Sequence, residues 1–338
     1  MHRISMTLAT TTLAGMLAAC GGSSGSTTAD NDTTATNSAT SNNVATTTTS
    51  TDIKDAIFVE RSGDCADYAD DYSASVLDIQ RALGFDAVMT LSNDGTSCAV
   101  ISNNIPNHDF NDGTGSFATQ VSTVAQGFSV PRNPTMGTSP TSLTQAYYNG
   151  VMLNGVPIDL LSAGCYDPSS PRADADGNTP IGCPDTAAWL LEPLGTGSGF
   201  GVDMHNAHVQ PDGSYHYHGS PNAMFDDFPG PEGSPVIGFA ADGFPIYGSY
   251  FYDDSTGQVR KAISGHTLKA GPRPSGTDDP GGLYDGTYVA DWEYTDAGDL
   301  DDCNGMEIDG QYGYYVTDGY PWIIGCLMGL PDLSFRKF

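Results

Sequence analysis

The sequence predicts a mainly β protein: a single β-rich domain, sandwich or barrel-like, with long Gly/Asp-rich loops and few short helices. Three observations carry that expectation. Among 41 acidic residues only Glu60, Glu192, Glu232, Glu293 and Glu307 are glutamates; the rest are aspartates, set beside 41 glycines and 21 prolines. Asp, Gly and Pro favour turns, and the helix-favouring Glu and Lys are scarce. The 17 Tyr, 13 Phe and 38% apolar residues suffice for a buried core. Short runs of aromatic and β-branched residues bounded by Gly, Pro and Asn recur along the chain. The 12 basic residues leave a net charge of −29. That charge repels phosphate backbones and anionic headgroups, so nucleic acid is excluded as a partner.

Residues 1–19 read as a lipoprotein signal peptide. Arg3 supplies a positive start, and Ile4–Ala19 is too short and too rich in Thr to span a membrane. The tetrad Leu17-Ala18-Ala19-Cys20 is similar to the lipobox of bacterial lipoproteins, whose cysteine becomes the acylated first residue. Lipidation at Cys20 is therefore expected. It implies a place in the bacterial cell envelope, facing the periplasm or the cell surface, with membrane contact only through the N-terminal lipid anchor. Residues 20–52 are a Ser/Thr/Asn-rich flexible tether, because they lack the apolar area that would offset ordering.

Residues 53–338 form the β-rich domain. Val76, Leu77, Ile79, Ala82 and Leu83 fit a short helix or an irregular strand, and periodicity does not decide. Val121–Val130 and Tyr147–Ile158 read as strands, the latter turning at Asn154-Gly155. Asp174-Ala175-Asp176-Gly177-Asn178 alternates oxygen ligands, which makes calcium an alternative to a plain acidic turn. Val236–Phe251 reads as two strands about a tight turn. Tyr312–Val316 and Trp322–Cys326 are the closing strands.

Besides Cys20 there are six cysteines, and an even number in an exported chain implies disulfides. Loop-closure entropy favours neighbours: Cys65 with Cys98, Cys165 with Cys183, and Cys303 with Cys326. A thiolate metal site would need C-x-x-C spacing, which is absent.

Four of the seven histidines lie between His205 and His218. Pro211-Asp212-Gly213 is the signature of a three-residue hairpin loop. That register pairs Gln210 with Ser214, Val209 with Tyr215, His208 with His216, and Asn206 with His218. Alternation puts His216 and His218 on one face, with His208 opposite His216 at a Cβ separation of roughly 5 Å. Three imidazoles converge, as a transition-metal site with an open position requires. Tyr215 and Tyr217 fall on the other face. A two-residue turn would bring in His205 instead. Imidazole suits zinc, copper and iron, while Met204 and Met224 tilt the expectation toward copper over zinc. His108 or Asp242 is a candidate fourth ligand or supporting group.

The segment Tyr215-His216-Tyr217-His218 resembles the bacterial family named for the YHYH motif. The likeness extends to Asn206–Pro211, Gly219-Ser220-Pro221, Gly238–Gly248, Leu300–Gly305, Tyr320-Pro321 and, upstream, Ile105–His108. The resemblance implies an exported, often lipid-anchored protein without an established activity, and it assigns no catalytic residue.

Two functional readings follow. In one the chain is an exported metal-binding protein, a redox or hydrolytic enzyme built on the histidine hairpin. In the other it is a non-catalytic cell-surface module that holds carbohydrate, peptide or calcium, with structural histidines. The sequence does not specify a small-molecule or glycan partner. A serine or thiol hydrolase is set aside, since no nucleophile stands in context.

Overall fold

A computed structural model describes residues 3–4, 50–196 and 199–337. Nearly all of the expected signal peptide, the expected lipidation site Cys20 and nearly all of the tether lie outside the described residues. Two open sheets dominate. The first contains β1 (Thr51–Asp52), β2 (Asp70–Asp78), β3 (Leu83–Asn93), β4 (Ser97–Ser102) and β5 (Gln126–Pro131), neighbours in that order. The second comprises β6 (Gly150–Met152), β7 (Pro157–Ile158), β8 (Ala207–Val209), β9 (Tyr215–Tyr217), β10 (Val236–Ala240), β11 (Pro245–Tyr247), β12 (Gly305–Ile308) and β13 (Gln311–Tyr315). Its spatial order is β8-β9-β7-β6-β10-β11-β13-β12. Helical structure among the described residues is confined to three 3₁₀ turns: Cys65–Tyr68, Val289–Asp291 and Leu333–Phe335. No helix of the described residues is long and apolar enough to cross a membrane.

The sheets differ in how they are buried. Along β2 and β3 burial alternates: Tyr72, Ala74, Val76, Ala87, Met89 and Leu91 face inward, while Leu77 and Val88 face out. That is the pattern of an antiparallel sheet wet on one side. The short strands β6, β7, β9, β10 and β11 are buried at every position. The two sheets meet where Tyr68 packs edge-on against Phe239 with ring centroids 5.8 Å apart, and where Ser102 Oγ donates to the Gly155 carbonyl at 2.7 Å.

Several element boundaries depart from the sequence expectation. Ser75–Ala82 is neither helix nor irregular strand: β2 runs straight to Asp78, and Ala82 turns the chain with φ of 49°. The helix-like spacing of Val76, Ile79 and Leu83 is incidental, since Leu77, Ile79 and Leu83 are all exposed. Strand β5 starts only at Gln126; Val121, before it, is buried outside the ladder, its carbonyl accepting from Arg81. Trp322–Cys326 is not a strand. Trp322 turns with φ of 68°, and only Cys326–Leu327 pairs, with Thr141–Ser142. Thr51 and Asp52, assigned to the tether by composition, form β1 and pair with Tyr72 and Ser73.

Disulfides join Cys65 to Cys98, Cys165 to Cys183 and Cys303 to Cys326, closing loops of 33, 18 and 23 residues. Each constrains the unfolded chain by about 3 kcal/mol. They belong to an oxidising compartment, as expected of an extracellular or envelope protein. Non-reducing peptide mapping is expected to recover those three linked pairs; a peptide joining Cys65 to Cys303 would refute the arrangement.

Candidate metal centre

The hairpin loop is closed by its own chemistry. The Gln210 amide donates to Ser214 and the Gly213 amide to Gln210, both at 2.9 Å. Asp212 Oδ1 accepts from the Ser214 amide at 3.0 Å and its hydroxyl at 2.7 Å. Gly213 has φ of 93°, and a Cβ there would collide with Ser122 Oγ. A glycine in the left-handed region is thus required. The resulting register pairs Ala207 with Tyr217, His208 with His216 and Val209 with Tyr215. On its other side β9 pairs in parallel with β7, Tyr217 facing Ile158.

One face carries His208, His216 and His218. The Nε2 of His218 lies 3.0 Å from that of His216 and 2.9 Å from that of His208. His208 Nδ1 donates to the Phe200 carbonyl at 2.8 Å. His216 Nδ1 faces the Ser214 carbonyl at 3.5 Å. Protons held at Nδ1 leave both Nε2 atoms as bare lone pairs aimed at His218. A single Nε2–H on His218 can satisfy only one of them. The nitrogens sit a little inside the ~3.3 Å that two nitrogens keep around a tetrahedral ion with bonds of ~2.0–2.1 Å. The donor set therefore fits a small transition-metal ion.

Burial sets the protonation of this group. It pushes the pKa of His216 and His218 well below the usual imidazole value, reinforced by His208 and by the Lys337 ammonium. Burial also lowers His208, which keeps a half-buried edge. All three are neutral at pH 7, the form that ligates metal.

The opposite face of β9 is a hydrogen-bonded network. Tyr217 Oη donates to His108 Nε2 at 2.7 Å and accepts from Asn154 Nδ2 at 2.9 Å. Tyr215 Oη donates to Asp203 Oδ2 at 2.8 Å. The His205 ring packs tilted against His108 with centroids 3.9 Å apart. His108 and His205 therefore lie across the sheet from the triad, so the candidate role of His108 as a fourth ligand is corrected: its Nδ1 donates to Asp109 and its Nε2 is engaged by Tyr217. Asp242 is corrected likewise. Its carboxylate closes the β10–β11 turn, accepting from Tyr314 Oη at 2.7 Å and the Gly329 amide at 2.9 Å.

A second grouping, Asp64 with Cys65 and Cys98, has the compactness of a metal site. Its sulfurs are joined in a disulfide and its carboxylate pairs with Arg132, so it offers no thiolate. The acidic loop at Asp174 is an Asx turn. Asp174 Oδ1 accepts from the Asp176 and Asn178 amides at 2.9 and 2.8 Å, and Asn178 Oδ1 accepts from Tyr288 at 2.8 Å. Those oxygens are already used within the protein.

Sequence reasoning missed Phe200, whose carbonyl fixes the His208 tautomer, and Lys337, which pairs with Asp159 beside β7. Lys337 lies more than a hundred residues from the hairpin and carries no local signal. Asp203 stands just before the histidine cluster, and its role follows only once Tyr215 is known to point inward. No curated protein and no solved structure matches the chain. The family model described as "YHYH protein" matches residues 127–329, which include the hairpin and the whole second sheet. The chain belongs to the YHYH protein family.

Proposed function

We propose that this is an exported, lipid-anchored envelope protein whose His208, His216 and His218 bind one transition-metal ion. The observation that carries the reading is the convergence of three neutral Nε2 atoms, that of His208 fixed as a lone pair by the Phe200 carbonyl. With only three protein nitrogens, a bound ion keeps a position for water or substrate. Zinc would support hydrolysis there, by lowering the pKa of bound water; copper would support redox chemistry. Elemental analysis of tag-free protein decides between the two metals. A structural triad is the second reading, favoured by His218 Nε2 lying within hydrogen-bond distance of both neighbours. Protein that stays metal-free after loading with zinc or copper would establish it, and would bring forward the non-catalytic binding module.

Replacing His208, His216 or His218 singly by Ala is expected to weaken metal binding by more than about 100-fold, since losing a ligand costs at least as much as losing its hydrogen-bond partner. His205→Ala and Asp242→Asn are expected to stay within a few-fold of the parent, as competition with a chromophoric chelator would show.

The pH dependence has a definite sign. These histidines titrate near 6.5 unfolded; when folded His208 is lowered and His216 and His218 lie well below that. Below about pH 6.5 the unfolded chain binds more protons, so apoprotein stability falls by roughly 1.4 kcal/mol per pH unit for each buried histidine until the folded pKa is reached. Bound metal is expected to persist through pH 6.5 and leave only in stronger acid, measured by metal content after dialysis across a pH series.

The anchor rests on Leu17-Ala18-Ala19-Cys20. Cys20→Ser is expected to shift the protein from the membrane to the soluble envelope fraction; unchanged membrane retention would remove the lipid anchor from this reading.

A further inference from the structure

Apart from the histidine face, the described residues enclose a cleft of about 200 Å³ whose walls include Leu143, Leu160, Leu161, Leu190, Trp322 and Ile324. Glu192 lines it and is only 3% exposed. Its Oε1 accepts from Trp322 Nε1 at 3.0 Å. No Lys, Arg or His lines the cleft, and the other ionisable carboxylate there, Asp185, is exposed. Among the described residues no ion pair reaches Glu192.

A buried carboxylate without a cation is costly, and proteins ordinarily pair it or protonate it. Burial pushes Glu192 up to about 7, with the Trp322 and Leu194 N–H groups pulling the other way. Buried Asp291 has Arg273 and buried Asp159 has Lys337, whereas buried Asp203 and Asp242 are held, like Glu192, by hydrogen bonds alone. Glu192 alone of these faces an open apolar cleft. Tyr320 and Trp322 both line the wall and add aromatic surface for the body of a ligand. Tyr320 is held in place by stacking on Trp292, centroids 5.2 Å apart.

We propose that the Glu192 cleft is a binding site for a small organic ammonium ion, its apolar body against the leucines and Trp322 and its cationic head on the Glu192 carboxylate. The volume corresponds to roughly seven heavy atoms at the space each water takes in the liquid. That suits a single alkyl or arylalkyl amine. The site also adjoins the histidine hairpin. A Cβ on Gly219, the residue after His218, would collide with Leu194 and stand 3.4 Å from Trp322 Cβ. The proposal does not depend on metal at the triad.

Benzylammonium and its neutral isostere benzyl alcohol test it by calorimetric titration of the full protein. Benzylammonium is expected to bind the parent protein, while benzyl alcohol binds it at least about tenfold more weakly, a difference of about 1.4 kcal/mol. Glu192→Gln keeps the shape and removes the charge, and is expected to weaken benzylammonium by a similar factor while its thermal melt shows a folded protein. Equal binding of the alcohol and the ammonium would overturn the proposal without recourse to any variant. So would undiminished ammonium binding by folded Glu192→Gln, or no ammonium binding by the parent protein at millimolar concentration.

Discussion

The candidate site depends on one constraint, the three-residue loop Pro211–Gly213. Its glycine needs a positive φ and the space that only a hydrogen atom leaves beside Ser122. Asp212 seals the turn by accepting from Ser214. Because side chains alternate along a strand, this loop length decides which histidine stands opposite His216. One residue fewer would carry His208 to the tyrosine face and dissolve the triad.

Alternation also makes the two faces of β9 depend on each other. Tyr215 and Tyr217 are anchored from beneath by Asp203, His108 and Asn154, and those bonds fix the strand that presents His216 and His218 on top. Fully buried tyrosine hydroxyls require partners, so the lower network is demanded by burial. Its effect on the upper face is to hold the imidazoles in place, which is what a metal site with precise geometry needs.

Charge is distributed unevenly over this acidic chain. Some of its few cations are placed against buried carboxylates, as with Arg273 at Asp291 and Lys337 at Asp159. Lys337 thereby brings positive charge near the triad and helps keep His216 and His218 neutral. Glu192, like Asp203 and Asp242, is buried without a cation, and of the three it is the one that lines the apolar cleft.

Composition determined the β-rich class, because Asp, Gly and Pro limit helices irrespective of context. The turn chemistry of Pro211-Asp212-Gly213 determined the hairpin register, and the convergence of His208, His216 and His218 followed from it by strand alternation. Cysteine spacing was sufficient for the three pairings, since short loops close at least entropic cost. These are local properties, carried by residues near one another in the chain. Only tertiary structure placed His108 and His205 beneath the sheet, and used Asp242 at a distant turn, because both depend on which strands lie side by side. It likewise brought Lys337 and the Glu192 cleft to the hairpin. Contacts between segments tens to hundreds of residues apart follow from the sheet order β8-β9-β7-β6, which no local pattern encodes.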